Sequence, residues 1–187
     1  MIYNDPIITT AVVFARNCEV RKIDRKTAGR FLDSNHLFGN AACRHCYGLF
    51  RKRVTGSSEL KSEQIGELLA VACFSNARRW QKGERTISSY EWVRYASLVD
   101  IRVVGGMGKL LKAFIEDRHP DDIMTYAISS AGPGREVRED MPGFMPGEVY
   151  RKLGFTEEER KSFPVRDGLP GATALSIKYR LKLTDWQ

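Results

Sequence analysis

The sequence predicts a single α+β domain in which strands and helices are mixed along the chain. The chain has 187 residues, the usual size of one domain with one core. Two neighbouring apolar stretches predict an antiparallel hairpin, and a succession of strand, glycine-rich turn, helix and strand predicts a central βαβ unit. Hydrophobic residues make up 42% of the chain and charged residues 28%, which is typical of a folded globular protein.

Apolar periodicity predicts the elements of the first half. In order they are a strand over about Ile8–Ala15, a helix over about Arg25–Ser34, and the two hairpin strands over about Tyr47–Arg53 and Glu67–Phe74. Asp24 precedes the helix, and a carboxylate at that position accepts hydrogen bonds from the unpaired N–H groups of the first turn. We therefore expect Asp24 to cap the helix.

The second half contains the βαβ unit and the last strands. The predicted elements are a strand over Tyr90–Ser97, a helix over Met107–Asp117, a strand over Asp122–Ala127, and final strands near Phe155 and over Ala174–Leu183. The helix has one apolar face, made of Met107, Leu110, Leu111, Phe114 and Ile115, because these residues recur at helical spacing.

The glycine-rich turn Arg102–Lys109 (RVVGGMGK) lies where this helix begins. A helix N-terminus presents unpaired N–H groups and the positive end of the helix dipole, and glycines allow close approach to the backbone. The turn therefore predicts a site for a phosphate group. A tight strand-to-helix connection without a ligand would have the same composition.

The spacing Arg102-x-x-Gly105-x-Met107 resembles the signature with which the GNAT superfamily of N-acetyltransferases holds the pyrophosphate of acetyl-CoA. The resemblance implies that acetyl-CoA or another acyl-CoA is the cofactor. It implies these cofactor-binding residues: Ile101, Arg102, Val103, Val104, Gly105, Gly106, Met107, Gly108 and Lys109. Met107 departs from the family pattern, which has glycine or alanine there, and a CoA-binding module without catalysis is therefore an alternative.

A second stretch, Glu148–Phe155 (EVYRKLGF), resembles motif B of the same family. The resemblance implies that Tyr150 is the general acid that protonates the departing CoA thiolate. Gly154 can adopt the left-handed conformation that ends a helix, and Phe155 then starts a strand. The alternative is an ordinary helix end in which Tyr150 only packs.

The two motifs together imply a GNAT-like fold, with a mixed, mostly antiparallel central sheet flanked by helices. They imply one acyltransferase-like domain over residues 1–187 with a loop insertion at 128–146. The implied activity is acyl-CoA-dependent transfer of an acetyl group to an amine, directly within a ternary complex. Backbone N–H groups near Ile101–Val103 would polarise the thioester carbonyl.

Three polar residues are candidates for the acceptor side of this reaction. Glu91 lies in the region where many GNAT enzymes place a carboxylate base, and a salt bridge with Arg94 is the alternative role. Arg94 is itself a candidate substrate contact. His36 follows the first helix, near where GNAT folds bind acceptors, and could contact substrate, act as a base or bind the helix-terminal carbonyls.

The fuller sequence around both motifs resembles a phage-associated GNAT branch that includes Mom-like enzymes, which modify adenine in DNA. The net charge of +7 and a pI near 9.3 favour an anionic partner. The basic clusters Arg51–Arg53, Arg78–Trp80 and Lys178–Lys182 would supply phosphate contacts. A solvated surface accounts for them equally well. DNA modification is therefore an alternative function.

The four cysteines do not predict a metal site or a disulfide framework. Cys43-x-x-Cys46 supplies two ligands, whereas a structural zinc site needs four, so we expect no metal. Cys46 and Cys73 are interpreted as small apolar residues on adjacent strands. Without a visible signal peptide or an apolar run of about 20 residues, we expect a cytoplasmic protein with reduced thiols. The acceptor and the oligomeric state stay open.

Overall fold

The computed structural model describes residues 11–52, 65–131, 147–164 and 173–185. Within these ranges the strands are β1 (Ala11–Phe14), β2 (Cys18–Ile23), β3 (His45–Arg51), β4 (Leu68–Phe74), β5 (Arg78–Lys82), β6 (Arg85–Ser97), β7 (Ile101–Val104), β8 (Asp122–Ala131), β9 (Thr156–Pro164) and β10 (Thr173–Lys182). The α-helices are α1 (Arg25–Asn35), α2 (Gly106–Arg118) and α3 (Gly147–Lys152), and a 3₁₀ turn covers Ala15–Asn17. No helix in these ranges is long and apolar enough to span a membrane.

One large sheet contains most of the strands. Its order is β2-β3-β4-β6-β8-β10-β9, and β5 pairs with β6 beside this path. Neighbours are antiparallel except β6 and β8, which run parallel. A separate two-stranded parallel sheet joins β1 to β7. This architecture confirms the predicted α+β class with a mostly antiparallel sheet and a central βαβ unit.

The predicted hairpin and the predicted helix cap are both present. β3 and β4 are antiparallel neighbours as expected, and Cys46 lies directly opposite Cys73. The Asp24 carboxylate accepts a hydrogen bond from the backbone N–H of Thr27 at 2.9 Å. The far end of the first hairpin strand, at Arg53, lies outside the described residues.

The structure adds three strands that the periodicity did not predict: β2, β5 and β7. The element directly before the glycine turn is therefore β7, whereas the predicted strand Tyr90–Ser97 belongs to the longer β6. β8 continues to Ala131, which pairs with Thr173 of β10. The first four positions of the predicted loop insertion are thus strand, and residues 132–146 lie outside the described ranges.

The two longer helices cover opposite faces of the sheet. Under α2, Phe114 stacks on Phe74 with ring centroids 3.8 Å apart, and Trp92 stacks on Phe74 at 5.4 Å. Under α1, Ala28 and Leu32 pack on a second cluster formed by β3, β4 and β6. Because both faces are covered here, β4 is an almost continuous apolar run rather than an alternating one.

Helix α3 ends in the way that the sequence predicted. The N–H of Phe155 donates to the carbonyl of Tyr150 at 3.0 Å, and the N–H of Gly154 donates to that of Arg151 at 3.0 Å. This pair of bonds is a Schellman motif, which needs a left-handed residue at its turn. Gly154 supplies it with φ of +91°.

Asp117, in the last turn of α2, is expected to contribute stability that depends on pH. It accepts hydrogen bonds from Lys22 at 2.5 Å and Tyr47 at 2.6 Å, and these bonds lower its pKa to about 2. Because the folded pKa is below the unfolded one, the contribution is present above about pH 4 and is lost as the pH falls through about 2. Asp117→Asn should reduce the free energy of unfolding by about 1 kcal/mol at pH 7, since the carboxylate is partly exposed.

Urea unfolding of both proteins at pH 7 and near pH 2 would check this expectation. Glu116→Gln is the matched control, because Glu116 is an exposed residue of the same helix whose ion pair among the described residues is with Lys112, at 3.7 Å. An equal stability difference between Asp117→Asn and wild type at both pH values would contradict the assignment.

Candidate active site

A cavity lies where β6 and β8 separate. The two strands form three registered pairs, from Ser89–Asp122 to Glu91–Met124, and both strands continue beyond the last pair. The cavity has a volume of about 100 Å³. It is lined by residues 91–95 of β6, residues 125–128 of β8, Tyr150 of α3, and His36 and Phe38 after α1.

A β-bulge in β6 shapes one wall of this cavity. Cys73 of β4 pairs with Arg94, whereas the next residue of β4, Phe74, pairs with Trp92. Val93 is therefore an extra residue, and such an insertion reverses the alternation of side chains after it. The hydroxyl of Thr125 donates to the carbonyl of Trp92 at 3.0 Å, which satisfies that carbonyl where the β6–β8 ladder ends.

Tyr150 projects from α3 into a set of aromatic rings at the cavity. Its side chain is 7% exposed, and its ring lies 6.2 Å from Trp92, 5.8 Å from Phe155 and 5.5 Å from Tyr179. Burial raises the pKa of the Tyr150 phenol, and a hydrogen bond with Thr125 offsets part of that rise. The phenol is consequently protonated at neutral pH, as a general acid must be.

Glu91 and Arg94 both line the cavity, but among the described residues no ion pair joins them. The Arg94 guanidinium instead donates to the carbonyls of Val93 at 2.9 Å and Gly39 at 3.4 Å. It also lies 6.0 Å from the ring of Phe38. Arg94 thus holds the segment after α1 against the cavity, and the Glu91 carboxylate, which is half-buried, is left for other partners.

His36 is a neutral hydrogen-bond donor in this structure. Its Nδ1 accepts the backbone N–H of Phe38 at 3.0 Å, which places the ring proton on Nε2. Burial, with the nearby charge of Arg94, lowers the pKa of His36 to about 4. The sequence left open a contact with substrate, a base or a bond to helix-terminal carbonyls; the lowered pKa argues against the base, and an Nε2 donor fits either of the other two roles.

The glycine turn starts α2 without a side-chain cap. Gly105 is the N-cap residue with φ of +78°, and the first bond of the helix runs from the N–H of Lys109 to the carbonyl of Gly105 at 3.1 Å. The N–H groups of Gly106, Met107 and Gly108 precede that bond and have no partner within the helix. They form the predicted set of donors for an anion.

Tyr95 connects this helix end to the cavity. Its ring lines the cavity, and its hydroxyl lies 3.2 Å from the point where a Cβ on Gly106 would be. No described residue forms a hydrogen bond with this hydroxyl, and burial raises its pKa. The sequence analysis missed Tyr95, because regular alternation would have placed it on the face opposite Trp92, and only the bulge at Val93 brings the two onto one face.

Comparison with known proteins identifies the fold. No family model matches the sequence, and no curated protein is significantly similar to it. Among solved structures, an acetyltransferase of the GNAT family from Streptococcus pneumoniae has a TM-score of 0.50 and 12% identity, over 89% of this chain and 99% of that chain. The chain has the fold of a GNAT acetyltransferase.

Two further structures have lower TM-scores. One is described as histone acetyltransferase HPA2 and related acetyltransferase from Corynebacterium glutamicum, with a TM-score of 0.39, 17% identity and 72% of this chain covered. This chain spans 62% of that protein's length. The other is a tyrosine-to-phenylalanine mutant of the AtaT toxin bound to the C-terminus of the antitoxin AtaR and to acetyl-CoA. Its TM-score is 0.39 and its identity 11%, over 86% of this chain and 93% of that chain. None of these comparisons concerns the Mom-like branch.

Within the GNAT fold, the residues predicted to bind cofactor are divided between surface and core. Arg102 is exposed, and no described residue forms an ion pair with it. Met107 is 8% exposed and Ile101 is 9% exposed, so both side chains belong to the core. The Lys109 ammonium donates to the backbone carbonyls of Ala15 and Cys18 and is occupied inside the protein.

The backbone donors predicted for the thioester carbonyl, near Ile101–Val103, lie on a different strand from the cavity wall, and their role stays a prediction. Val103 and its neighbours lie on β7, which pairs with β1, and they do not line the cavity. The cavity is lined instead by Trp92, Val93 and Arg94 at the bulge of β6. The sequence could not show this, because it did not separate β7 from β6.

Several basic residues predicted to contact solvent or phosphate are paired inside the fold. Arg51 is 8% exposed and forms a salt bridge with Glu67 at 3.0 Å. Arg180, predicted on an outward face, contacts the buried carboxylate of Asp122 at 2.8 Å. Residues 78–79 of β5 are exposed. Arg51 and Arg180, two of the residues that suggested DNA, are therefore balanced by carboxylates of the fold.

Proposed function

We propose that the protein is an acyl-CoA-dependent N-acyltransferase that transfers an acetyl or related acyl group directly to an amine. The observation that carries the proposal is the cavity between β6 and β8. It combines the buried, protonated phenol of Tyr150 with the Glu91 carboxylate, and Tyr95 connects it to the uncapped N-terminus of α2. The GNAT fold supports this activity without specifying the acceptor.

The residues present fit a CoA pyrophosphate. The free N–H groups of Gly106, Met107 and Gly108, the positive end of the α2 dipole and the exposed Arg102 all favour an anion at this position. The Tyr95 hydroxyl adds a buried donor that lacks a described partner. Acetyl-CoA would supply the acyl group as an activated thioester.

Three side chains divide the chemistry at the cavity. Glu91 accepts a proton from the incoming ammonium group, directly or through water, so that a neutral amine attacks. His36 donates from Nε2 and orients the acceptor. Tyr150 gives its phenolic proton to the sulfur as the carbon–sulfur bond breaks, which avoids release of a free thiolate.

Thermal unfolding with and without saturating acetyl-CoA tests the proposal. A ligand that binds only the folded state stabilises it by about 2.7 kcal/mol at a concentration of 100 times Kd, so the midpoint of wild type should rise. Arg102→Ala should reduce that rise. Arg30→Ala, at an exposed position on α1, is the control and should keep it.

Two results would oppose the proposal. Absence of a rise in wild type would mean that the glycine turn is only a structural connection. An equal rise in Arg102→Ala and Arg30→Ala would remove the turn from the binding site. Binding of CoA without turnover on any amine would instead support a module that has lost catalysis.

A further inference from the structure

Three cysteines from two strands and one loop form a cluster under α1. Cys43 lies just before β3, Cys46 is on β3 and Cys73 is on β4. Their Sγ atoms all lie within 4.8 Å of one another, and those of Cys43 and Cys46 are 3.4 Å apart. The sequence placed Cys46 and Cys73 on adjacent strands, and the register of β3 with β4 brings both sulfurs beside that of Cys43.

The spacing of the three sulfurs suits a thiolate-bound metal ion. A Zn–S distance of about 2.3 Å in a tetrahedral site places the sulfurs about 3.8 Å apart, which needs only small shifts here. Soft thiolate ligands select thiophilic ions such as Zn²⁺ or Cu⁺. His45 packs against Tyr90 and Phe114, under α2 on the other face of the sheet, and does not contribute a fourth ligand.

The cluster also has an entry path and a suitable charge. Cys46 is 4% exposed and Cys73 is fully buried, but Cys43 is half-exposed on the wall of an open concavity of about 610 Å³. Arg25, which lines the same concavity, partly balances the negative charge of the thiolates.

We propose that Cys43, Cys46 and Cys73 bind one thiophilic metal ion, Zn²⁺ in the first instance, with a fourth position open toward the concavity. Binding displaces the thiol protons to solvent, so each sulfur–metal bond replaces a sulfur–hydrogen bond. This inference does not depend on the acyltransferase activity.

The metal would fix the segment between α1 and β3. This segment, residues 36–44, supplies His36 and Phe38 to the cavity and the Gly39 carbonyl to Arg94. Attaching its end to β3 and β4 through Cys43 would hold the acceptor side of the cavity in place. The ion would therefore position the cavity wall without contacting substrate.

Titration with Co²⁺ tests the site on the full chain, after reduction and removal of metal with a chelator. Wild type should develop sulfur-to-cobalt charge-transfer absorbance that saturates at one equivalent and disappears when Zn²⁺ is added. Cys43→Ser should weaken metal binding by more than about 100-fold. Removing a residue that only hydrogen-bonds to a ligand costs up to about 100-fold in metal affinity, and removing a ligand itself should cost more. Cys18→Ser is the control, because the Cys18 thiol donates to the Phe14 carbonyl at 3.6 Å, outside the cluster.

Circular dichroism would show whether each variant folds. If Cys73→Ser, which replaces a fully buried thiol, does not fold, the result for Cys43→Ser decides the outcome. Cys43 is half-exposed, so its replacement is expected to leave the fold intact. Wild type without charge-transfer absorbance, or Cys43→Ser with wild-type affinity, would overturn the proposal. In protein kept without reductant, a Cys43–Cys46 disulfide would lower the mass by two hydrogens. A loss of mass of this size that persists when Zn²⁺ is present would also overturn the proposal.

Discussion

Tyr150→Phe is expected to lower the rate of acyl transfer by about 100- to 1,000-fold, within the range that a positioned general acid contributes. The phenol is buried at the cavity, and burial raises its pKa, so it is the protonated group available to the leaving sulfur. Phenylalanine keeps the ring and its contacts with Trp92 and Tyr179. Affinity for acetyl-CoA and thermal stability should change little.

Steady-state kinetics with thermal unfolding in the presence of acetyl-CoA would separate these effects. A loss confined to kcat, with an unchanged ligand-induced shift, is the signature of an interaction made in the transition state. Tyr126→Phe is a matched control, since Tyr126 lines the same cavity but is 44% exposed. Wild-type kcat in Tyr150→Phe would show that Tyr150 only packs.

Asp122→Ala is expected to destabilise the protein by about 3–5 kcal/mol, the usual cost of removing one partner of a buried ion pair. Asp122 is fully buried and accepts hydrogen bonds from Ser89 and Arg180, both at 2.8 Å. The replacement removes one acidic partner from Arg180, whose side chain is only 11% exposed and which also contacts Glu158. It also removes the contact at the first β6–β8 pair.

Urea unfolding followed by circular dichroism would measure this loss. Glu159→Ala provides the comparison, because Glu159 is 46% exposed in its surface pair with Lys161 and such pairs contribute about 0–1 kcal/mol. Asp122→Asn retains an acceptor for Ser89, so its loss of stability should be intermediate between those of Asp122→Ala and Glu159→Ala. A loss in Asp122→Ala as small as that in Glu159→Ala would show that Glu158 alone compensates Arg180.

Local sequence patterns were sufficient where a segment has one clearly buried face. The helix capped by Asp24, the apolar face of α2 and the helix end at Gly154 follow from spacing and backbone preference alone. β2 and β5 were missed because three of the six residues of β2 and four of the five of β5 are polar, and all but Cys18 are partly or fully exposed. β7 has only four residues, too few for an alternation to be recognised.

The candidate site was predictable only as far as its motifs extend. The motifs identified Tyr150 and the glycine turn, whereas the cavity itself depends on pairing between distant strands. The bulge at Val93 arises from the β4–β6 register, and it places Tyr95 on the face of Trp92. Cys73 joins Cys43 only through the β3–β4 register. Neither register can be read from one segment alone.

The short ladder between β6 and β8 has a mechanical consequence. The strands from β2 to β6 form one leaf of the main sheet, and those from β8 to β9 form the other. Three residue pairs and the Ser89–Asp122 bond join the two leaves at one end, and the Thr125–Trp92 bond follows the last pair. A small rotation about that joint would therefore change the width at the far end most. In the proposed acyl transfer, the size of acyl group that the cavity accepts would thus depend on the joint, at a distance from the reacting atoms.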